Sequence, residues 1–116
     1  MKDYFDLIAR GADTPPAADF LIKITDDCML PYISPGQEVC VSCREQLSEM
    51  DAGIFLYDGK IICRQWCEDY AGALHLLCAN PKRESENISI PRDARTRCLC
   101  LGRVILPHRL PPPVYD

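Results

Sequence analysis

The sequence predicts a mostly-β domain in which short antiparallel strands form a twisted, barrel-like sheet. Several short runs alternate apolar and polar side chains or are rich in Val, Ile, Leu and Phe, as half-buried strands are. Asp58-Gly59 separates two such runs and is the dipeptide most typical of a two-residue β-hairpin. No segment keeps the apolar spacing of an amphipathic helix for more than about two turns. A parallel α/β design is therefore disfavoured, because it would need crossover helices.

The N-terminal half of the chain carries four predicted strands. Residues 4–9 form a short first strand, and the loop after them contains Pro15-Pro16, which blocks both helix and ladder hydrogen bonds. Phe20, Ile22 and Ile24 share one face of the next segment, because alternate residues of a strand point the same way. A turn at Ser34-Pro35-Gly36 precedes the third strand. The predicted strands of this half are residues 4–9, 20–25, 38–42 and 54–57.

The C-terminal half carries four more predicted strands and a tail. Asp58-Gly59 links residues 54–57 to the first of these strands. Gly102 interrupts the last strand, where a β-bulge or a close approach of another backbone is expected. Pro107 and Pro111-Pro112-Pro113 end the fold in an extended tail. The predicted strands of this half are residues 60–66, 73–78, 87–90 and 97–106.

Length and composition indicate a single cytosolic domain. The chain has 116 residues, of which 47% are hydrophobic, enough for one core. A net charge of −4 argues against direct binding of nucleic acid, which relies on clustered Lys and Arg. No apolar run is long enough to span a bilayer, and the N-terminus lacks the apolar core of a secretory signal. The predicted organisation is a lead-in of residues 1–17, a domain of residues 18–106 and a tail of residues 107–116.

The eight cysteines are expected to be free thiols, because a cytosolic location keeps them reduced. A structural zinc site remains an alternative, since Cys40 and Cys43 form a CxxC and Cys63 and Cys67 form a wider pair. Cys40, however, lies in an alternating segment typical of a strand rather than in a chelating turn. We therefore expect neither a metal nor a cofactor.

The segment around Cys28 resembles the turn that carries the nucleophile in LexA and related phage repressors. In that family a strand ends in a Gly-Asp-Ser-Met-type turn, which is followed by Pro and then by an Asp-Gly-Asp-type turn. Here the strand of residues 20–25 leads into Asp26-Asp27-Cys28-Met29. Pro31 and Pro35-Gly36-Gln37-Glu38 hold the later places, and Cys28 stands where the family has its serine.

Three further motifs extend the resemblance to about residues 18–106. The hairpin of residues 57–66 lines up without a gap with the family hairpin whose Val-Lys-Arg-like triplet carries the general-base lysine, and this places Arg64 at the lysine. Residues 76–81, Leu-Leu-Cys-Ala-Asn-Pro, resemble the family's "LLS-x-N-P" strand and turn. Residues 101–105 resemble its closing "G-x-V" strand. The resemblance implies the fold of the LexA and signal peptidase superfamily.

The resemblance also assigns site residues: Cys28 at the nucleophile position, Arg64 at the general-base position and the backbone of Met29 at the oxyanion position. A Ser-Lys peptidase needs a neutral lysine that takes the hydroxyl proton and later returns it to the leaving amine. A guanidinium stays protonated under ordinary conditions, so Arg64 cannot act as that base. A thiolate of Cys28 stabilised by Arg64 is chemically reasonable, but no group assigned here would protonate the leaving nitrogen.

These departures predict a catalytically degenerate LexA-like domain that acts as a regulatory or dimerisation module in transcriptional regulation. Two alternatives remain open: an active autopeptidase with a cysteine nucleophile, and a zinc-stabilised β binding module. The family cuts itself at an Ala-Gly or Cys-Gly bond, and neither dipeptide precedes Cys28. A DNA-binding domain would be either covalently linked or a separate protein, because the 27 residues before Cys28 contain no helix-turn-helix pattern.

The resemblance further implies a homodimer. Family members pair through their C-terminal strand region, which corresponds here to residues 97–106. The candidate interface residues are Cys98, Cys100, Leu101, Gly102 and Val104.

Overall fold

Seven antiparallel strands form one curled sheet, a half-barrel, in the computed structural model. The structure describes residues 18–43 and 46–115. The predicted strand at residues 4–9 and the loop at residues 11–16 lie outside these ranges. The strands are β1 (Phe20–Lys23), β2 (Glu38–Ser42), β3 (Ala52–Tyr57), β4 (Lys60–Glu68), β5 (Leu74–Leu77), β6 (Ile88–Ile90) and β7 (Cys98–Ile105). Their order across the sheet is β1-β2-β7-β3-β4-β5-β6. The mostly-β prediction is confirmed.

Two short 3-10 helices connect the last strands, at Pro81–Glu86 and Arg92–Arg97. The sequence pattern shows neither of them, because a six-residue segment is too short for a helical period to be visible. No helix in the described part of the chain is long and apolar enough to cross a membrane.

The hairpin predicted at Asp58-Gly59 is confirmed. Tyr57 pairs with Lys60, so that only two residues form the loop between β3 and β4. Both loop residues have positive φ, 54° for Asp58 and 74° for Gly59, as a type I′ turn requires. This hairpin fixes the register of β4 and therefore the direction in which its side chains point.

The interruption predicted at Gly102 is a β-bulge. Ile54 pairs with Gly102 and Phe55 with Cys100, which leaves Leu101 as the extra residue of β7. A Cβ atom on Gly102 would lie 2.6 Å from the carbonyl oxygen of Ser42. Only glycine fits here, because the neighbouring strand passes too close for any side chain.

Two hydrophobic cores support the sheet. The first is formed where the turn after β1 packs on strands β2, β3, β4 and β7, and the second lies between β3, β5 and β6. The fully buried side chains of the first core include Met29, Ile33, Val39, Val41 and Ile54. The second contains Phe55, Leu74, Leu76 and Ile90.

The proline-rich tail has no regular secondary structure, as predicted, but it makes specific contacts along residues 107–115. Leu110 packs on the first core, and the buried amide of Gln65 donates to the carbonyl of Pro111 at 3.0 Å. The hydroxyl of Tyr115 donates to the carbonyl of Cys78. The tail therefore returns over β4 and reaches the end of β5.

Candidate active site

Cys28 lies in a tight turn that is anchored from within. The Asp26 carboxylate accepts the Cys28 amide at 3.1 Å, and the carbonyl of Met29 accepts the amides of Tyr32 and Ile33 at 2.9 and 3.0 Å. The side chains of Met29 and Ile33 are completely buried in the first core. These hydrogen bonds and buried side chains fix the position of the turn relative to the sheet, and Cys28 is at the start of the turn.

A second segment, the turn after β5, clamps the Cys28 turn from outside. The amide of Asn80 donates to the carbonyl of Cys28 and its side chain donates to the carbonyl of Asp27, both at 2.9 Å. Arg83 forms a two-point ion pair with Asp27, with N–O distances of 2.8 and 3.1 Å. This pair lowers the pKa of Asp27, chiefly through the hydrogen bond from Arg83. The turn that contains Asp27 and the turn after β5, which are 53 to 56 positions apart in the sequence, therefore close one side of the site together.

Arg64 lies on β4, opposite Gly53, and only 3% of its surface is exposed. Its Nη1 donates to the carbonyl of Cys63 at 2.8 Å and faces the Asp26 carboxylate at 3.5 Å. Its Nε is buried without a hydrogen-bond partner among the described residues. In the part of the chain that the structure describes, the Arg64 guanidinium has one long ion pair and one carbonyl acceptor. These partners use only part of its five N–H donors, so the buried positive charge is incompletely neutralised and hydrogen-bonded.

Cys28 and Arg64, predicted to stand together, lie close enough that the guanidinium acts on the thiol electrostatically. Arg64 lowers the pKa of Cys28, as the sequence argument assumed. Burial nevertheless has the larger effect and raises the pKa of this thiol to about 12. Removing water from around a thiolate disfavours its charged form, and the attraction of one nearby cation does not fully offset that loss. At neutral pH the Cys28 side chain is therefore a protonated thiol.

Two further cysteines, Cys63 and Cys78, share this environment. Burial raises the pKa of both thiols, that of Cys63 to about 12, and Arg64 opposes the rise in each case. The Cys78 side chain also interacts with that of Cys28 and raises its pKa further. Sequence reasoning placed neither residue in the site. Cys78 had a signal, since it stands at the serine of the "LLS-x-N-P" motif.

The peptide group between Cys28 and Met29 carries the Met29 amide that the resemblance assigns to the oxyanion position. Its carbonyl, that of Cys28, accepts the Asn80 amide at 2.9 Å, and this hydrogen bond fixes the orientation of the peptide group. The role of this backbone as an oxyanion donor stays a prediction.

Cys40 and Cys43, the CxxC pair, point into different environments. Cys40 is completely buried in β2, whereas Cys43 is exposed and its thiol donates to the carbonyl of Leu101 at 3.3 Å. Among the described residues, no group of three or more His, Cys, Asp or Glu side chains is arranged to hold a metal ion.

The predicted interface strand, β7, lies inside the sheet between β2 and β3. Val104 is 3% exposed and Gly102 is buried, so both face the interior of the domain. Cys98 and Leu101 are half-buried. The side chains that β7 offers to a partner are those of Cys100 and its neighbour Leu99, which is 56% exposed.

Leu99 belongs to an exposed apolar row that crosses three strands. Leu56 on β3 stands directly opposite both Leu99 on β7 and Ile61 on β4. Directly paired residues point to the same face of a sheet, so the three side chains are neighbours. Their exposures are 36% for Leu56, 55% for Ile61 and 56% for Leu99.

Comparison with known proteins gives one family. A family model described as Peptidase S24-like matches residues 2–105, a range that includes both Cys28 and Arg64. A comparison with the curated proteins finds no match for this chain.

Proposed function

Because the chain belongs to the Peptidase S24-like family, we propose that it is a LexA-like peptidase domain that has lost catalysis and serves as a regulatory or dimerisation module in transcriptional regulation. The observation that carries this proposal is the burial of Arg64, the residue that the resemblance assigns to the general-base position. On this proposal the fold around Cys28 and Arg64 is retained, while the proton transfer that a Ser-Lys peptidase needs is lost.

The chemistry fails at both steps that a peptidase needs. The nucleophile must lose a proton, but burial holds the Cys28 thiol in its protonated form at neutral pH. The leaving amine must gain a proton, and a shuttle that can first accept one is required. Arg64 does not supply such a shuttle, because the guanidinium group is a donor only and is not deprotonated in proteins.

A third departure reinforces the loss. The family's Gly-Asp-Ser-Met-type turn has glycine where this chain has Asp26, and the Asp26 carboxylate faces Arg64. A nearby anion favours the charged form of a basic side chain. Even a lysine at position 64 would therefore be held protonated by Asp26. Where the family has Gly, Ser and Lys, this chain therefore has Asp26, Cys28 and Arg64. An ion pair and a thiol take the place of the neutral Ser-Lys dyad.

The decisive experiment compares the natural protein with a variant in which the family residues are restored. We expect no cleavage by the natural protein, either of itself or of a supplied peptide with an Ala-Gly hinge bond. The triple variant Asp26→Gly, Cys28→Ser, Arg64→Lys is expected to gain cleavage of that peptide, because its lysine can become neutral beside a serine. The double variant that keeps Asp26 is the matched control and should stay inactive.

The result that would contradict the proposal is cleavage by the natural protein that Cys28→Ala abolishes. That outcome would establish the alternative, an active cysteine autopeptidase, for which the electrostatic attraction of Arg64 on Cys28 is the supporting observation.

We further propose that the module acts as a homodimer whose contact includes the exposed row of Leu56, Ile61 and Leu99. Contiguous exposed apolar side chains often mark a protein contact. The row starts on β7, the strand through which family members pair. A DNA-binding domain, linked or separate, would supply contact with the operator, since the acidic chain has no basic cluster suited to phosphate.

Light scattering coupled to size exclusion tests the dimer. The natural protein is expected to be dimeric at tens of micromolar, and Leu99→Glu is expected to make it monomeric by placing a charge in the apolar row. Leu21→Glu is the control, because Leu21 is exposed on β1 and is not paired with any residue of the row. A strict monomer for the natural protein would contradict the proposal.

A further inference from the structure

A hydrogen-bonded chain of Asp69, His75 and Ser89 lies away from the Cys28 site, on β5, β6 and the turn before β5. His75 Nε2 lies 2.8 Å from the Asp69 carboxylate, and His75 Nδ1 lies 2.9 Å from the hydroxyl oxygen of Ser89. His75 and Ser89 are directly opposite each other in the β5–β6 ladder, so strand register fixes their contact.

Asp69 is locked in position by its own turn. One carboxylate oxygen accepts the amides of Ala71 and Ala73 at 2.9 and 3.0 Å, which leaves the other oxygen for His75. The turn is closed by hydrogen bonds between Asp69 and Ala73 and between Gly72 and Asp69, each at 3.0 Å. Arg95, itself paired with Glu68, donates to the carbonyl of Gly72 at 3.3 Å. The Asp69 carboxylate therefore has a fixed orientation, with its second oxygen directed at His75.

This arrangement determines which nitrogen of His75 carries the proton. The hydrogen bond from His75 and those from the two amides lower the pKa of Asp69, so its carboxylate is ionised at neutral pH and can only accept. Nε2 must then be the protonated nitrogen of the neutral ring. Nδ1 is left with a lone pair directed at Ser89, and the serine hydroxyl donates to it. Nucleophile, base and orienting carboxylate stand in the order that acyl transfer uses.

We propose that Ser89 is a base-activated nucleophile, with His75 as its general base and Asp69 as the positioning residue, and that it accepts acyl or phosphonyl groups from small reactive donors. Ser89 is exposed on β6, the last strand of the sheet, so a donor reaches its hydroxyl directly from solvent. An open site of this kind activates the nucleophile without selecting substrates by shape. Small activated aryl esters and fluorophosphonates are the donor class that fits.

The step balances within the three residues. The Ser89 oxygen attacks the carbonyl carbon of an ester and forms a new C–O bond, while its proton moves to Nδ1 of His75. The bond to the leaving alkoxide or phenoxide then breaks, and His75 returns the proton to that oxygen. Asp69 stabilises the imidazolium between these steps. Water then attacks the carbonyl carbon of the acyl group and gives a proton to Nδ1 of His75. The bond between that carbon and the Ser89 oxygen breaks, the carboxylic acid leaves, and His75 returns the proton to Ser89.

A fluorophosphonate provides the test, because it forms a stable adduct with activated serines. Intact mass spectrometry with peptide mapping is expected to find one adduct, on Ser89, in the natural protein. Ser89→Ala should abolish the adduct, and His75→Gln should slow its formation about 100-fold. Ser85→Ala is the matched control, since Ser85 is also exposed, and should leave labelling unchanged.

The role of Asp69 is tested by the rate of labelling and its rescue. Asp69→Asn should slow formation of the Ser89 adduct, because the carboxylate that stabilises the imidazolium during the transfer is gone. Asp69→Glu, which keeps a carboxylate, should recover part of the rate. Circular dichroism confirms that each variant is folded. An absent adduct, or a rate that is equal in the natural protein and His75→Gln, overturns the proposal.

Discussion

At the scale of single residues, the candidate site shows how burial can outweigh a neighbouring charge. Arg64 lies beside Cys28, yet the pKa of the thiol rises to about 12 instead of falling. A sequence reveals that a cation stands near a thiol but not how much water both have lost. The proximity of Arg64 to Cys28 was therefore predictable from the aligned hairpin, while the protonation state of Cys28 was not.

The reactivity of Cys28 toward iodoacetamide follows from this pKa. Alkylation requires the thiolate, so Cys28 should react very slowly at pH 7 and faster only as the pH rises toward its pKa of about 12. Cys43 is exposed and provides an internal reference in the same sample. Quantitative mass spectrometry of alkylated peptides measures both. Equal rates for Cys28 and Cys43 at neutral pH would show that Arg64 dominates and would favour the cysteine autopeptidase.

At the scale of secondary-structure elements, glycine positions mark where the strands come closest. Gly102 allows β7 to pass Ser42 of β2 while the bulge changes the register with β3. The sequence predicted an interruption at this residue because glycine within an apolar run is typical of a bulge. The 3-10 helices around residues 81–97 had no comparable signal.

Replacing Gly102 by alanine is expected to destabilise the protein. The added Cβ would lie 2.6 Å from the Ser42 carbonyl oxygen and 2.6 Å from a Val41 methyl group, so one strand must move. Overpacking of this kind costs about 2 kcal/mol. Urea unfolding measures the loss. Gly59→Asn is the control, since a Cβ there meets no atom within 4 Å and asparagine tolerates positive φ, and it should change the free energy of unfolding little.

At the scale of the whole molecule, the tail ties together parts of the chain that the sheet alone leaves apart. It crosses from β7 over Gln65 to Cys78 at the end of β5. Its extended character was predictable from its prolines. Its path was not, because it depends on single hydrogen bonds between residues that are 37 and 46 positions apart. The same holds for Asn80, which connects to Asp27 across 53 positions.

Tyr115→Phe should measure how firmly the tail is attached. The change removes the hydroxyl that donates to the Cys78 carbonyl and keeps the ring, so we expect the free energy of unfolding to fall by about 1 kcal/mol. Val114→Ala is the control, because Val114 is 76% exposed and its truncation should be nearly neutral. An unchanged unfolding midpoint for Tyr115→Phe would mean that the hydroxyl of Tyr115 contributes nothing to the stability of the protein.

The pairing of Asp26 with Arg64 also constrains the history of this lineage. Restoring lysine alone leaves it facing an acid that keeps it cationic, and restoring glycine alone strands a positive charge in the interior. Each single change back toward the family pattern is therefore expected to be either silent or harmful. Under the proposed loss of catalysis, the ion pair would prevent any single substitution from restoring proteolysis.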